Sequence, residues 1–397
     1  MSSDLSVNPE VLRWARETAG LRLDDVARRM HKEVAEIEGW ESADLNQSPT
    51  YIQLESLAYN LYKRPIAIFF FPEPPSEDTP AEAFRTLPKD RIAEMSPRMR
   101  YLIRQSQVMR LNLKELTENS PPSKKRILDH FSFNAKTPPE EMAAVVREYF
   151  QVDLRLQSSW KNEDAALKEW RNELEAHGVF VFKESFNQRV GRASIESQYS
   201  GFCLYDRDYP IIYVNNSKSK NRQIFTLFHE LAHLLLGTGG VDTRLEDYID
   251  RLSGDNKLIE LACNQFAGSF LVPDDDFNAR KSSYSTSPED ISSLAKYYNV
   301  SREVVLRKFF DRGEIDQYYY DRMVSTWKAA RRKRPKPPWG DPYATKGVYL
   351  GDTYLSLAFR QYFRNKFSKE QLAGYLGVKV KHLPEYEARV IQKASTE

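Results

Sequence analysis

The chain has 397 residues, 41% hydrophobic and 29% charged, with a formal net charge of +2 at pH 7. This composition is that of a soluble globular protein of two or three domains, and a charge so near zero argues against bulk electrostatic attraction to nucleic acid or membrane. Two cysteines, Cys203 and Cys263, rule out a disulfide framework, and the most apolar run, IAIFFF at residues 66–71, is far too short to span a bilayer. The amino terminus, MSSDLSVNPE, lacks the basic and apolar regions of a secretory signal, so a cytoplasmic location is expected.

Residues 9–70 read as a set of short helices. Leu12, Ala15, Leu21, Val26, Ala27, Met30, Ile37 and Trp40 recur near helical spacing, with Asp24 and Pro49 at helix starts. Proline-rich punctuation follows at residues 71–80, 120–140 and 331–342. The spacing predicts helices through about residues 98–175. Then the pattern changes: GVFVFK (178–183), GFCLY (201–205) and PIIYV (210–214) predict three strands of a small antiparallel sheet. Helices are expected at about 221–237, 256–271, 288–298 and 302–311. The expected fold is multidomain and mainly α: an all-α module at 1–72, a linker and helical connector at 73–160, a central α+β domain with a small sheet at 161–325, a basic Pro-rich linker at 326–345, and a helical C-terminal module at 346–397.

The chemistry concentrates in RQIFTLFHELAHLLLG, residues 222–237. On a helix His229 and His233 project from one face, where two imidazoles can bind a single zinc ion. Glu230 beside them can take a proton from water activated at that ion. A buried helix whose histidines merely hydrogen-bond would look the same over these five residues, so a third ligand is needed. Asp242, Glu246, Asp247 and Asp250 follow in a stretch of loop character. Glu260 lies on the next strongly patterned helix, KLIELACNQFAGSFLVP, with 26 residues between it and His233. That separation allows a loop and an antiparallel return, and Ala262, Phe266 and Phe270 repeat at i+4 as in a helix packed on the first. Glu260 is therefore the preferred third ligand. Cys263 could offer a thiolate, but a buried apolar cysteine is the simpler reading. His177 sits at a helix end, where the dipole favours a structural role. His31, His130 and His382 have no partner pattern. Tyr213, on the strand before the motif, could donate to a tetrahedral intermediate or simply pack, and that strand could pair with an extended substrate if it formed the sheet edge.

The run YVNN…RQIFTLFHELAHLLL followed by IELACNQFAGSFLVP resembles the ImmA/IrrE family of zinc-dependent peptidases. Asn215, Arg222, Phe225, Thr226, His229, Glu230, His233, Glu260, Cys263, Asn264, Phe266, Ala267 and Pro273 match its two motifs over about residues 170–315. The resemblance implies a zincin-like domain with Zn2+ held by His229, His233 and Glu260, and Glu230 as general base. It also implies a substrate class of helix-turn-helix repressors, cleaved in stress, mobile-element or defence responses.

A second pattern recurs three times. Ala27, Met30 and Ile37 stand at i, i+3 and i+10, as do Ala295, Tyr298 and Val305, and Ala373, Leu376 and Leu383. This is helix-turn-helix core spacing, with one copy at 288–311 inside the central domain. The first copy resembles the XRE (Cro/repressor-like) domain. Residues 1–72 hold eight Lys or Arg against eleven Asp or Glu, a net charge of −3, and Glu33, Glu36 and Glu38 lie on the expected recognition helix. Such a module lacks the charge that phosphate neutralisation requires, so protein interaction or dimerisation competes with DNA binding there. Lys379, Lys381 and Arg389, preceded by Lys328, Arg331, Arg332, Lys333, Arg334 and Lys336, place any DNA contact at the C-terminal end, although Pro384 is expected to shorten a recognition helix there.

Two functional readings follow. One is a zinc metallo-endopeptidase acting on a helix-turn-helix repressor, soluble rather than membrane-bound and compatible with a homodimer. The other is a transcriptional regulator or antitoxin-like scaffold that uses a peptidase fold as a sensor.

Overall fold

Local capping chemistry sets the helix starts. Asn8 accepts from the Glu10 amide with Pro9 at the first helical position, opening α1 (Pro9–Thr18). α2 (Leu23–Met30) and α3 (Val34–Trp40) follow, and Thr50 caps α4 (Tyr51–Glu55), which runs on as a π-helical stretch, Ser56–Tyr62. The computed structural model describes residues 7–42, 47–77, 92, 94–134, 136–190, 193–243, 254–332 and 342–394. Contacts divide the chain into residues 1–107 with 187–195, and residues 108–186 with 196–397. In the first unit Val11, Ala15, Val26, Ala27, Ile37, Leu54, Leu57 and Phe69 form one buried core.

The second unit is mainly helical around a small sheet. α5 (Pro97–Leu116, in this unit from residue 108), α6 (Ile127–His130), α7 (Pro139–Phe150), α8 (Leu154–Ser159) and α9 (Glu163–Ala176) precede β1 (Phe180–Glu184). A hairpin, β2 (Gln188–Val190) and β3 (Ala193–Ile195), groups with the first unit. β4 (Tyr199–Leu204), β5 (Ile211–Asn215), α10 (Lys220–Leu235), β6 (Gly240–Thr243) and α11 (Gly254–Leu271) follow. The remaining helices are α12 (Asp274–Lys281), α13 (Pro288–Tyr297), α14 (Arg302–Asp311), α15 (Gln317–Arg332), α16 (Pro342–Leu350), α17 (Asp352–Phe363), α18 (Lys369–Leu376) and α19 (Leu383–Ala394).

Strand order is β1-β5-β4-β6, and the sheet is mixed, not antiparallel throughout as expected. β4 runs antiparallel to β5 and β6, but β1 pairs parallel with β5 from Phe180↔Ile211 to Glu184↔Asn215. Residues 185–210 supply the crossover that parallel neighbours need, so β5 inserts between β1 and β4. β5 is thus an interior strand and cannot take up an extended chain; β6 is the edge beside α10.

Alternation sorts the two faces. Val181, Cys203, Ile212 and Val214 join Ile224, Leu227, Phe228 and Leu231 of α10 in one core. Phe182, Phe202 and Tyr213 point the other way, with Phe202 and Tyr213 stacked at 5.2 Å and Tyr354 of α17 edge-on to Phe182 at 5.5 Å. Arg171 ties β1 to the C-terminal helices by donating to the Val181 carbonyl and, at 2.5 Å, to the Val348 carbonyl. The sheet is therefore covered by helices on both faces. On the α10 side, α11 packs through Phe228 and Phe270, whose rings stack at 4.1 Å.

The three i, i+3, i+10 segments form α2–α3, α13–α14 and α18–α19, and their turns share one conformation. The residue four beyond each alanine is left-handed: His31 at φ 54°, Asn299 at 53° and Gly377 at 62°. The next amide bonds back to the alanine carbonyl in each, Lys32 to Ala27 at 3.0 Å, Val300 to Ala295 at 2.9 Å and Val378 to Ala373 at 3.0 Å. Ile37, Val305 and Leu383 are buried anchors of the second helices. Pro384 replaces only the first α-turn, by the 3-10 turn Val380–His382, and α19 then runs for 12 residues because proline needs no donor in a first turn. Among the described residues no helix is long and apolar enough to cross a membrane.

Candidate metal centre

α10 is buried almost all round, which a helix threaded between a sheet and another helix must be. It places His229, Glu230 and His233 inside the protein, each no more than 1% exposed, and α11 brings Glu260 (3% exposed) against them. The Nε2 atoms of His229 and His233 are 3.3 Å apart. Glu260 straddles them, Oε2 lying 3.4 Å from His229 Nε2 and Oε1 3.4 Å from His233 Nε2. Ligands at roughly 2.0–2.1 Å from a tetrahedral ion stand about 3.3–3.4 Å from each other, so these three groups have the spacing of one face of such a tetrahedron. They form a His-His-Glu group that could hold a metal ion.

The tautomers support the same fit. His229 Nδ1 is 3.0 Å from the Asn264 Oδ1, an acceptor, so Nδ1 carries the proton and Nε2 keeps its lone pair. Thr238 Oγ1 donates to the His233 carbonyl at 3.0 Å and so accepts from His233 Nδ1 at 3.1 Å, leaving that Nε2 bare too. Two lone pairs and a carboxylate facing one another in a buried space need a cation between them. Glu260 Oε1 accepts no hydrogen bond, consistent with that role.

Small residues make room for this arrangement. A Cβ on Gly240 of β6 would lie 2.2 Å from His233 Cδ2 and 2.7 Å from Nε2, so the ring packs directly on the edge strand's backbone. A Cβ on Gly201 of β4 would meet Thr226 Cγ2 at 2.4 Å and the Tyr213 carbonyl at 2.8 Å, with Glu230 Cγ at 3.8 Å. Pairing of β4 with β6 is irregular between Tyr199 and Gly201. Cys203 joins these parts: its sulfur accepts from the Gly240 amide at 3.3 Å, and its thiol hydrogen-bonds to Glu230. Burial, then the Glu230 carboxylate, push that thiol well up, so Cys203 is a neutral donor. At the helix start Asn215 donates to the Tyr199 carbonyl at 2.8 Å and Arg222 to Ser200 Oγ at 3.0 Å, fixing α10 to the strands.

The other candidates lie elsewhere. Cys263 is packed in the core and outside the His-His-Glu group. Tyr213 is on the far face of the sheet, stacked on Phe202, because alternation turns it away from the α10 side that Ile212 and Val214 occupy. It cannot donate to a reacting group at His229. His177 bonds through Nδ1 to the Glu173 carbonyl at 2.8 Å and packs against Tyr149 and Phe150. Asp242 falls on β6, while Glu246, Asp247 and Asp250 lie outside the described residues, as do Lys333, Arg334 and Lys336 of the basic linker. Sequence reasoning missed Thr238, Gly240, Gly201 and Cys203 as parts of the centre; the small-residue run GTGG after the motif was the available signal for the first two.

Known proteins resemble parts of this chain. The chain is 31% identical over 110 residues to the radiation response metalloprotease IrrE of Deinococcus deserti, covering 27% of this chain and 38% of that protein. It is 27% identical over 117 residues to the radiation response metalloprotease IrrE of Deinococcus radiodurans, covering 29% and 35%. The match thus spans less than two fifths of either relative. A solved Mycobacterium tuberculosis transcriptional regulator aligns at 19% identity over 43% of this chain and 50% of its own, with a TM-score of 0.23, too low to carry an argument. Residues 174–310, which contain β1, β4, β5, α10 and Glu260, match the family model of the IrrE N-terminal-like domain of peptidase M78.

Proposed function

We propose that this chain is a metal-dependent endopeptidase that hydrolyses a regulatory protein, with helix-turn-helix repressors as the substrate class. The observation that carries the reading is the 3.3–3.4 Å spacing of His229, His233 and Glu260 with both Nε2 lone pairs turned inward. His229, His233 and Glu260 would hold the ion, which when bound lowers the pKa of water toward about 7 and polarises a carbonyl. Glu230, next to His229 on α10 and buried, takes the proton from the attacking water and passes it to the departing amine. The Cys203 thiol orients that carboxylate, and Gly201 leaves the space it needs. β6 is an outer strand among the described residues, one on which an extended polypeptide can pair. The resemblance to repressor-cleaving peptidases, together with relatives named as radiation response metalloproteases, supports a regulatory substrate in a stress, mobile-element or defence response.

The test is cleavage of helix-turn-helix repressors by the zinc-loaded full chain beside Glu230→Gln. Loss of a general base costs about 10²–10⁴-fold in rate, so the variant should bind zinc normally and cleave at least about 100-fold more slowly. Undiminished cleavage by Glu230→Gln would remove the proposed base.

A further inference from the structure

The three turns are conformationally equivalent, but their outer surfaces are not. In a helix-turn-helix on DNA the first helix crosses the phosphate backbone and the second enters the major groove by its N-terminal residues. The positions that matter are therefore those just before and at the start of the first helix, and those at the start of the second. In α18–α19 these are Arg364, Lys366 and Lys369, then Lys379 and Lys381, all exposed. In equivalent register α2–α3 carries Thr18, Gly20 and Leu23, then Glu33 and Ala35; α13–α14 carries Thr286, Pro288 and Ile291, then Ser301 and Glu303. No cation occupies any of those ten places.

Two further observations separate the copies. At the start of α14 the one cation, Arg302, is exposed but its guanidinium lies 4.5 Å over the Trp327 ring of α15. In α2–α3 two of the three nearby arginines are spent locally, Arg22 on Asp24 at 3.6 Å and Arg28 on Asp25. In the last copy Arg364, Lys379 and Lys381 form no salt bridge among the described residues, and Lys366 stands 3.7 Å from Glu118. The only exposed carboxylates beside them between residues 364 and 392 are Glu370 and Glu385. Further along α19 the exposed residues are Ala388, Ile391 and Gln392, all uncharged, so the acids of that helix are confined to Glu385 in its first turn and the half-exposed Glu387.

We propose that the α18–α19 helix-turn-helix is a site for duplex DNA. Arg364, Lys366 and Lys369 meet phosphates at the first helix, and Lys379 and Lys381 meet the phosphates that flank the major groove where the second helix enters. This holds whether or not the chain is a peptidase, since no residue of the metal centre takes part.

The experiment is fluorescence anisotropy of the full chain with a labelled mixed-sequence duplex of about three helical turns, titrated between about 50 and 200 mM KCl. Five phosphate contacts predict a slope of log affinity on log salt of about −4.5. Lys379→Gln/Lys381→Gln should bind at least about tenfold more weakly and flatten the slope by about 2, with Lys366→Gln/Lys369→Gln as a second pair that reads the same site should the first disturb folding. Arg28→Gln/Arg29→Gln should bind like the unaltered protein. The proposal is overturned if the unaltered chain ignores duplex at low salt, or if folded variants of both pairs bind unchanged. It is equally overturned if binding is lost only in the linker variant Arg332→Gln/Lys333→Gln/Arg334→Gln, or if single-stranded RNA or anionic vesicles bind more tightly than duplex.

Discussion

Gly240→Ala tests the centre without touching any ligand. The added Cβ would fall 2.2 Å from Cδ2, 2.4 Å from Cγ and 2.7 Å from Nε2 of His233, against ordinary contacts of about 3.5–4 Å. Relief requires the ring or the strand to move by about 1 Å. The ring cannot tilt freely, because Thr238 holds Nδ1 and is itself bonded to the His233 carbonyl. Metal–ligand lengths tolerate only about ±0.2 Å, and a misplacement of about 1 Å costs on the order of 100-fold. The expected loss of zinc affinity is therefore about 100-fold, or about 2.7 kcal/mol, read by competition with a chromophoric chelator. Urea unfolding of the metal-free protein should show a separate loss of about 1–3 kcal/mol for overpacking. A folded Gly240→Ala protein with unchanged zinc affinity would refute the reasoning that His233 is placed by this glycine.

Other consequences are equally direct. Asn264→Ala and Thr238→Val should each weaken zinc binding by about 10–100-fold, and Thr238→Ser should restore it, because only the hydroxyl sets the tautomer. Gly201→Ala should lower the unfolding free energy from urea melts by about 1–3 kcal/mol, since the Cβ meets a backbone carbonyl that cannot swing aside. Tyr213→Phe should leave the cleavage rate unaltered, as its ring lies on the other side of the sheet; a large loss of kcat would contradict that placement. Lys183 is buried on β1, and burial, then Lys220 and Arg171, lower its ammonium to about 7. With the folded pKa below the unfolded value, the unfolded chain binds more protons between about 7 and 10.5, so this destabilisation is full below pH 7 and fades as pH rises. Lys183→Met should therefore stabilise the fold more at pH 7 than at pH 9.5, as read by paired urea melts.

What could be read in advance was the part written in local patterns. His229, His233 and Glu260 sit on two long helices rich in apolar residues, and those helices run Lys220–Leu235 and Gly254–Leu271 against expected spans of 221–237 and 256–271. Strand positions were legible for the same reason, but strand direction was not: alternation along Phe180–Glu184 is identical whether its neighbour runs parallel or antiparallel. β6 escaped because a four-residue strand beginning at Gly240 has no β-branched run. Alternation puts Tyr213 opposite Ile212 and Val214, yet only the tertiary structure says which face the metal helix takes. Cys203, Thr238 and Gly201 matter through contacts with residues 27, 5 and 12 positions or more away, which no spacing rule encodes. Pro384 looked like a helix breaker, and the structure uses it to begin one.

The central claim is that one divalent ion is held by His229, His233 and Glu260. Metal content by mass spectrometry on the purified full chain, beside His233→Ala, Glu260→Gln and Glu230→Gln, tests it most directly. The account predicts close to one equivalent of zinc or another divalent ion in the unaltered protein and in Glu230→Gln, and loss in His233→Ala and Glu260→Gln. A folded, unstripped protein without metal, or full metal retention in Glu260→Gln, would contradict it.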